Sequence, residues 1–220
     1  METWVNNDKF IHEQLIKDDS ALERVLDTSR KNLLPEMEVS SPQGKFLYLL
    51  AKIKGAKRIL ELGTFMGYST IWLAKAVPTD GEVITLEIDE RYAKMAQENI
   101  NYAGFADNVR IIQGNALDSL QALVDANTPP FDMIFIDADK PNYPMYLEFS
   151  LKLSRPGTVI YGDNVVRNGK LCTLNTPDAN VKGVKKFVED LGAAERLEST
   201  ALQTVGVKGY DGFTLSVVTH

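Results

Sequence analysis

Hydrophobic residues in this chain occur either in short continuous runs or at helical spacing, and the two patterns alternate. Short apolar runs predict buried strands, whereas apolar residues every three or four positions predict helices. The predicted strands cover residues 58–61, 82–87, 109–113, 133–136 and 159–162. A helix is predicted after each strand, near residues 69–76, 92–103, 117–126, 143–153 and 181–191. This alternation predicts an α/β fold with a doubly wound, Rossmann-like parallel sheet.

The N-terminal region departs from this alternation. Apolar residues at helical spacing among charged ones predict amphipathic helices that end near Pro35, and these residues are Leu15, Leu22, Val25, Leu26 and Leu33. A further helix is predicted from Pro42 to Ile53, and Gly55 is placed to end it. We therefore expect a helical extension ahead of the α/β core.

The C-terminal region carries a different pattern. Two runs that favour strands, residues 198–206 and 213–218, flank the turn-forming sequence Lys208-Gly209-Tyr210-Asp211-Gly212 and predict a β-hairpin. The hairpin completes a seven-stranded, mostly parallel sheet with an antiparallel C-terminal strand and an antiparallel edge at the C-terminus. We expect one domain spanning the whole chain, with a helical arm over residues 1–40 and the α/β core over residues 41–220.

Composition excludes several classes of function. The net charge of −6 and the pI of about 5.1 argue against a broad basic face for nucleic acid. The single Cys172 excludes a multi-cysteine zinc site, and His12 and His220 lie too near the termini for a histidine-based site. No apolar stretch approaches the roughly 18–20 residues that span a bilayer. The N-terminus also lacks a signal peptide, so we expect a cytoplasmic protein without membrane contact.

Polar side chains follow the fourth and fifth predicted strands at the point where each strand ends. Asp137 comes directly after residues 133–136, and Asp163 with Asn164 follows the next strand. Open α/β sheets bind ligands at such strand ends, and carboxylate and amide oxygens suit Mg²⁺ or another hard cation. Taken singly, each acid could instead cap a helix or form an ion pair, and Asp163-Asn164 could form a turn. Together the three predict a divalent-cation site.

The turn after the first strand contains glycines whose spacing differs from the dinucleotide fingerprint. Gly63 and Gly67 lie four residues apart, and Glu61 precedes the first of them by two residues. An acid at this position repels a pyrophosphate but attracts the ammonium of an amino-acid-like ligand. Glu87, which ends the second strand, is placed to accept hydrogen bonds from ribose hydroxyls. Small residues within 113–116 leave room for a flat base.

Five motifs, in order along the chain, carry a resemblance to a known family. They are Glu-Leu-Gly-Thr-Phe-Met-Gly-Tyr-Ser (61–69), Leu-Glu-Ile-Asp (86–89), Ile-Asp-Ala-Asp-Lys (136–140), Gly-Asp-Asn (162–164) and Tyr-Asp-Gly (210–212). The chain resembles the cation-dependent class I S-adenosylmethionine O-methyltransferases of the catechol and caffeoyl-coenzyme A type, in their bacterial branch. The resemblance covers most of the chain and implies a homodimer.

Carried over by position, the resemblance implies which residues contact S-adenosylmethionine: Val39, Glu61, Gly63, Thr64, Ser69, Glu87, Ala116 and Asp139. Glu87 would hold the ribose. Glu61, Ser69 and Asp139 would surround the methionine end. Val39 stands where the plant enzymes often have threonine, so only a backbone contact is expected there.

The resemblance also implies the metal and substrate residues. Asp137, Asp163 and Asn164 would bind the divalent cation, with Mg²⁺ expected in cells and Ca²⁺ or Mn²⁺ as alternatives. Lys140 would lie beside the acceptor oxygen, and Asn168 would contact the substrate. Each of these two has a simpler interpretation, because Lys140 could pair with Asp139 in solvent and Asn168-Gly169 is an ordinary turn pair.

The implied reaction is in-line transfer of a methyl group from a sulfonium to a phenolate. The acceptor would be a vicinal diphenol such as a catechol, caffeoyl or flavonoid-like molecule, and Asp137 and Lys140 would be the catalytic residues. Lys140 would either take the phenol proton or stabilise the oxyanion. The alternatives are a nicotinamide-dependent oxidoreductase, a non-catalytic binding module and a nucleic-acid methyltransferase. The glycine spacing and Glu61 argue against the first, the cation trio with Lys140 against the second, and the acidic charge against the third.

Overall fold

The predicted alternation of strands and helices is present in the computed structural model, which describes residues 2–220. The strands are β1 Arg58–Leu62, β2 Glu82–Glu87, β3 Val109–Gln113, β4 Met133–Ile136, β5 Val159–Gly162, β6 Leu197–Gly206 and β7 Gly209–Val218. The helices are α1 Glu2–Leu15, α2 Ser20–Lys31, α3 Ser41–Lys54, α4 Tyr68–Ala76, α5 Glu90–Tyr102, α6 Ala116–Asp125, α7 Tyr143–Lys152 and α8 Ala179–Ala193, with a short 3₁₀ helix at Lys140–Asn142. The strand order of the sheet is β3-β2-β1-β4-β5-β7-β6, which confirms the predicted fold class.

The chain divides into two compact units, one up to Ala116 and one from Leu117 onward. In the first unit β1 pairs with β2 and β2 with β3, all in parallel. In the second unit β4 and β5 are parallel, and β7 runs antiparallel to both β5 and β6. Each unit therefore presents the carboxyl ends of neighbouring parallel strands, where ligand-binding loops are expected. The single domain predicted from the sequence stays a prediction.

The helix after Pro35 begins close to its predicted start and ends at the predicted glycine. The hydroxyl of Ser40 accepts a hydrogen bond from the backbone N–H of Gln43, which caps the start of α3. At the other end Gly55 adopts a left-handed conformation with φ of 65°. Because only glycine takes that conformation at little cost, it ends the helix where the sequence predicts.

The prediction for the N-terminal arm is correct in its helices but partly wrong in its buried face. Leu22 and Val25 of α2 are buried as expected. Leu15 and Leu33, by contrast, are 70% and 92% exposed. The physical reason is that both lie where a helix has ended or is ending, so the helical spacing no longer carries them onto the buried face.

The C-terminal hairpin forms, but its turn lies elsewhere than predicted. Gly206 pairs with Gly209, so the connection is Val207-Lys208 and the residues from Gly209 onward already belong to β7. The two strands of the hairpin form the predicted antiparallel edge of the sheet, with β7 between β5 and β6. Most of the second half of β7 is buried whereas β6 is almost wholly exposed, which explains why β7 takes the inner position.

No helix in residues 2–220 combines the length and the apolar character that crossing a membrane requires.

Candidate active site

In the first unit, the side chain of Glu61 is the centre of a buried hydrogen-bond network. Glu61 lies on β1 and has no exposed surface. Ser69 donates to its Oε1 at 2.6 Å, Thr85 donates to its Oε2 at 2.7 Å, and Thr70 also donates to Oε2. Thr64 lies 2.6 Å from the hydroxyl of Thr85 and extends the network. A buried carboxylate needs such donors, and three hydroxyls hold this one in a fixed orientation.

The side chain of Glu87 holds the glycine-containing turn in place. Glu87 ends β2 and is 8% exposed. Its Oε2 accepts the backbone N–H of Phe65 at 2.7 Å, and its Oε1 accepts that of Asp89 at 2.9 Å. Phe65 has a φ of 47° and Gly63 a φ of 98°, so the turn bends sharply. An ionised carboxylate can accept about four hydrogen bonds, which leaves Glu87 capacity for a pair of hydroxyls.

Three more residues predicted to bind cofactor lie in the same unit. Val39 is buried ahead of α3, Gly63 follows β1, and Ala116 is the first residue of α6. The structure therefore joins Glu61, Thr64 and Ser69 in one network. The cofactor contacts of all the residues proposed for this role stay predictions.

In the second unit, the pairing of β4 with β5 brings the predicted metal ligands to one strand end. The last pair of the register is Ile136 opposite Gly162, so Asp137 and Asp163 follow directly on neighbouring strands. The backbone N–H of Asp163 donates to the carbonyl of Ile136 at 2.9 Å and continues the pairing. Asn164 adopts a left-handed conformation with φ of 54°. These three residues are therefore consecutive or adjacent across the sheet.

Lys140 is buried and donates three hydrogen bonds. Its Nζ lies 2.9 Å from Oδ1 of Asp137, 3.1 Å from the carbonyl of Ala138 and 2.7 Å from the hydroxyl of Tyr143. Only 8% of its side chain is exposed. The alternative of a solvated pair with Asp139 is wrong, because the ion pair joins Lys140 to Asp137 in a buried position.

The hydroxyl of Tyr143 links Lys140 to the ends of both strands. It accepts from Lys140, and its single proton is shared between the carbonyls of Ile136 at 3.0 Å and Asp163 at 2.9 Å. Burial raises the pKa of Tyr143 well above its ordinary value, and the charges of Asp137 and Asp163 act in the same direction. The phenol therefore keeps its proton and remains a donor to the strand ends.

The donor chemistry of Asp137, Asp163 and Asn164 fits a hard cation. Both carboxylates and the amide offer oxygen, and among residues 2–220 Oδ2 of Asp137 has no hydrogen-bond partner. The same described residues contain no cluster of three or more His, Cys, Asp or Glu side chains arranged for a metal. The proposed trio differs from such a cluster, because it has two acids and one amide. Mg²⁺ keeps several waters when bound, so a small number of protein ligands is enough to hold it.

Asp139 is held by two neighbours within the second unit. The hydroxyl of Tyr146 donates to its Oδ1, and Nδ2 of Asn142 donates to its Oδ2 at 2.6 Å. Burial raises the pKa of Tyr146, and the hydrogen bond to Asp139 adds to the effect. Asp139 is therefore fixed in direction although it is exposed, as a cofactor contact would require.

Asn168 lies in the loop that follows β5. It is exposed, has a φ of 55°, and precedes Gly169 with a φ of 81°. This geometry matches the turn interpretation, and its substrate contact stays a prediction. Sequence reasoning missed the anchoring roles of Tyr143 and Tyr146. The available signal was their helical spacing, three residues after Lys140 and seven after Asp139.

A protein-family model described as O-methyltransferase matches residues 12–217 of the chain. The chain belongs to the O-methyltransferase family. A catechol O-methyltransferase of Niastella koreensis is 48% identical over 211 residues, covering 96% of each chain. The caffeoyl-CoA O-methyltransferase 2 of Zea mays is 34% identical, covering 93% of this chain and 84% of that protein. The crystal structure of an O-methyltransferase from Bacillus cereus in complex with SAH superposes with a TM-score of 0.97 at 51% identity, covering 99% of each chain.

These comparisons confirm the resemblance stated from the motifs and the enzyme class, an S-adenosylmethionine-dependent O-methyltransferase. They also exclude two alternatives, since a nicotinamide-dependent oxidoreductase and a non-catalytic module do not fit this O-methyltransferase. What they leave to be argued is the cation, the acceptor and the role of each side chain.

Replacing Glu61 with glutamine tests the cofactor role of the buried carboxylate. The amide keeps the shape but loses the charge, so we expect the Kd for S-adenosylhomocysteine to rise about 10- to 100-fold, or about 1.4–2.7 kcal/mol. Isothermal titration calorimetry measures this, with the exposed Glu98→Gln on α5 as the matched control. An unchanged Kd in a folded Glu61→Gln protein would show that Glu61 serves only the network of hydroxyls.

Removing the hydroxyl of Tyr143 tests the link between the strand ends. In Tyr143→Phe, two buried carbonyls and Lys140 each lose a partner, so we expect the free energy of unfolding to fall by about 1–3 kcal/mol. Urea unfolding measures the change, and Tyr102→Phe, which alters an exposed tyrosine, is the control. Equal stability of Tyr143→Phe and wild type would contradict the anchoring role.

Proposed function

We propose that this O-methyltransferase transfers a methyl group to one hydroxyl of a vicinal diphenol and that the reaction depends on a divalent cation. The observation that carries the proposal is the arrangement of Asp137, Asp163 and Asn164 at one strand end, with Lys140 bound to Asp137. Two relatives support the acceptor class, since one is named for catechol and the other for caffeoyl-CoA.

The proposed cation would be held by Asp137, Asp163 and Asn164, with Mg²⁺ as the expected ion. Bound there, it would lower the pKa of an adjacent phenol from near 10 and orient two neighbouring hydroxyls. Asp163 is 4% exposed and Asp137 is tied to Lys140, so neither carboxylate needs to be ordered when a ligand binds. Such preorganisation lowers the cost of binding.

Lys140 supplies positive charge to the acceptor site. Its three hydrogen bonds go to a carboxylate, a carbonyl and a phenol, all of which accept from an ammonium. We therefore assign Lys140 to stabilising the negative charge on the acceptor oxygen rather than to removing the proton. The acceptor would react as a phenolate whose proton has passed to water. Its C–O bond would form as the C–S bond of the sulfonium breaks, S-adenosylhomocysteine would leave, and no enzyme group would be covalently modified.

The first unit would bind the methyl donor. Glu61 would attract the ammonium of the methionine end, and Glu87 would accept the ribose hydroxyls while holding the turn at Phe65. Asp139 belongs to the second unit, where Tyr146 fixes it, and the cofactor contact expected of it from the sequence stays a prediction. We also propose the cytoplasmic location and the homodimer that the sequence leads us to expect.

Removing the cation tests the metal dependence. We expect a chelator to abolish methyl transfer to catechol by wild type and Mg²⁺ to restore it. Asp163→Ala should lower kcat/KM by about 100-fold or more, equivalent to about 2.7 kcal/mol of transition-state stabilisation. Radiolabelled methyl transfer measures activity, and calorimetry should show that the Kd for S-adenosylhomocysteine changes by less than about threefold, below 1 kcal/mol.

The matched control for Asp163→Ala is Asp125→Ala, which removes an exposed carboxylate at the end of α6. It should keep wild-type turnover and metal dependence. Full activity of wild type in chelator would refute a cation mechanism, whatever the behaviour of the variants.

A panel of phenols tests the acceptor class. We expect methylation of catechol and caffeate but not of resorcinol or guaiacol, because two adjacent free hydroxyls are needed to engage one cation. Mass spectrometry detects the product, and NMR identifies the methylated oxygen. Comparable turnover of resorcinol and catechol would show that adjacency of the hydroxyls is not recognised.

A further inference from the structure

The loop after β5, which carries the proposed ligands Asp163 and Asn164, is bonded to β7 along its backbone. Three consecutive N–H groups of this loop donate to two residues of β7. Val165 donates to the carbonyl of Gly212 at 2.9 Å, and Val166 and Arg167 both donate to Oδ1 of Asp211, each at 2.9 Å. The same Oδ1 also accepts the N–H of Gly212 at 2.9 Å. One carboxylate oxygen thus orders both segments.

The loop held in this way has an unusual backbone. Asn164, Arg167 and Asn168 all have φ near +55°, and Gly169 has a φ of 81°. Left-handed non-glycine residues cost of order 1 kcal/mol each and persist only where the surroundings impose them. Here the N–H of Arg167, one of these residues, is bonded to Asp211, so the hydrogen bond acts on a strained position directly.

The shape of β7 at this point is also specific. A Cβ at Gly212 would lie 2.6 Å from Cγ2 of Val166 and 2.5 Å from the carbonyl of Leu202. Gly212 therefore permits the close approach between β7 and the loop. Val165 and Val166 of the loop are 0% and 6% exposed, so their burial fixes how deeply the loop packs.

We infer that Asp211 is a positioning residue for the proposed metal site, acting through the backbone of the loop rather than by touching metal or substrate. Asp211 and Asn164 lie on separate segments, and the connection between them is the run of hydrogen bonds at residues 165–167. Loss of the Asp211 carboxylate would let the left-handed residues relax. The ligand oxygens of Asp163 and Asn164 would then lose their fixed directions. The inference rests on the proposed cation-dependent function.

The test compares Asp211→Ala with Asp211→Asn. The alanine removes the acceptor, whereas asparagine keeps one oxygen that can accept the same N–H groups. We expect the Kd for Mn²⁺ of Asp211→Ala, measured by electron paramagnetic resonance, to rise about 10- to 100-fold, as for other residues that orient metal ligands. Asp211→Asn should lie within about threefold to fivefold of wild type, since neutral hydrogen bonds are about half as strong as charged ones.

Two further readouts separate positioning from general stability. Hydrogen exchange of peptides covering residues 163–170 should become faster in Asp211→Ala, and the Kd for S-adenosylhomocysteine should be unchanged. The matched control is Asn108→Ala, which removes two side-chain hydrogen bonds to the backbone, to Thr79 and Gly81, at the amino ends of β2 and β3. It should lower Tm without changing Mn²⁺ affinity.

Unchanged Mn²⁺ affinity in Asp211→Ala, or an equal loss in the alanine and asparagine variants, would overturn the inference while leaving the cation mechanism intact. Wild type that binds no Mn²⁺ and keeps its activity in chelator would overturn the proposed function and the inference with it. If Asp211→Ala does not fold, Gly212→Ala takes its place. It disturbs the same contact through Val166 and should also weaken Mn²⁺ binding.

Discussion

The register between β4 and β5 is the constraint on which the proposed metal site depends. Ile136 opposite Gly162 is what makes Asp137 and Asp163 neighbours. The register is fixed in turn by packing, because a Cβ at Gly162 would lie 2.7 Å from the ring of Phe187. Phe187 belongs to α8 and also packs edge-to-face on Tyr143, with ring centroids 5.2 Å apart. The strand ends and the tyrosine that joins them are therefore held by one helix.

Helix α8 makes a second close contact that bears on Lys140. A Cβ at Gly183 would lie 2.1 Å from the carbonyl oxygen of Lys140, so only glycine lets the helix approach this backbone. The side chain of Lys140 is then fixed by hydrogen bonds, and its main chain by packing. Groups that are held in place before the substrate arrives need no reorganisation during the reaction, which is how fixed charges contribute most to catalysis.

Most strands were predictable, since β2, β3, β4 and β5 have the bounds that the apolar runs predict. The periodicity of apolar residues indicates which face of a strand or helix is buried, and this burial decides which of the two elements forms. The contacts between Tyr143 and the backbone were not predictable. The hydroxyl of Tyr143 donates to the backbone carbonyl of Asp163. Every residue has such a carbonyl, so no sequence pattern marks this contact. The predicted turn of the hairpin was wrong for a similar reason. Gly209 and Gly212 resembled turn residues, but both belong to β7, and Gly212 is needed for close packing against Val166.

The hydrogen bonds of Lys140 bear on the proposed choice between a base role and an electrostatic role. An ammonium has three N–H bonds, and Lys140 donates to three acceptors: Asp137, Ala138 and Tyr143. Acting as a base would require a neutral amine first, which would leave one buried acceptor without its donor at a cost of about 1–3 kcal/mol. Stabilising a negative oxygen by charge requires no such loss. The three hydrogen bonds of this lysine therefore support the proposed electrostatic role.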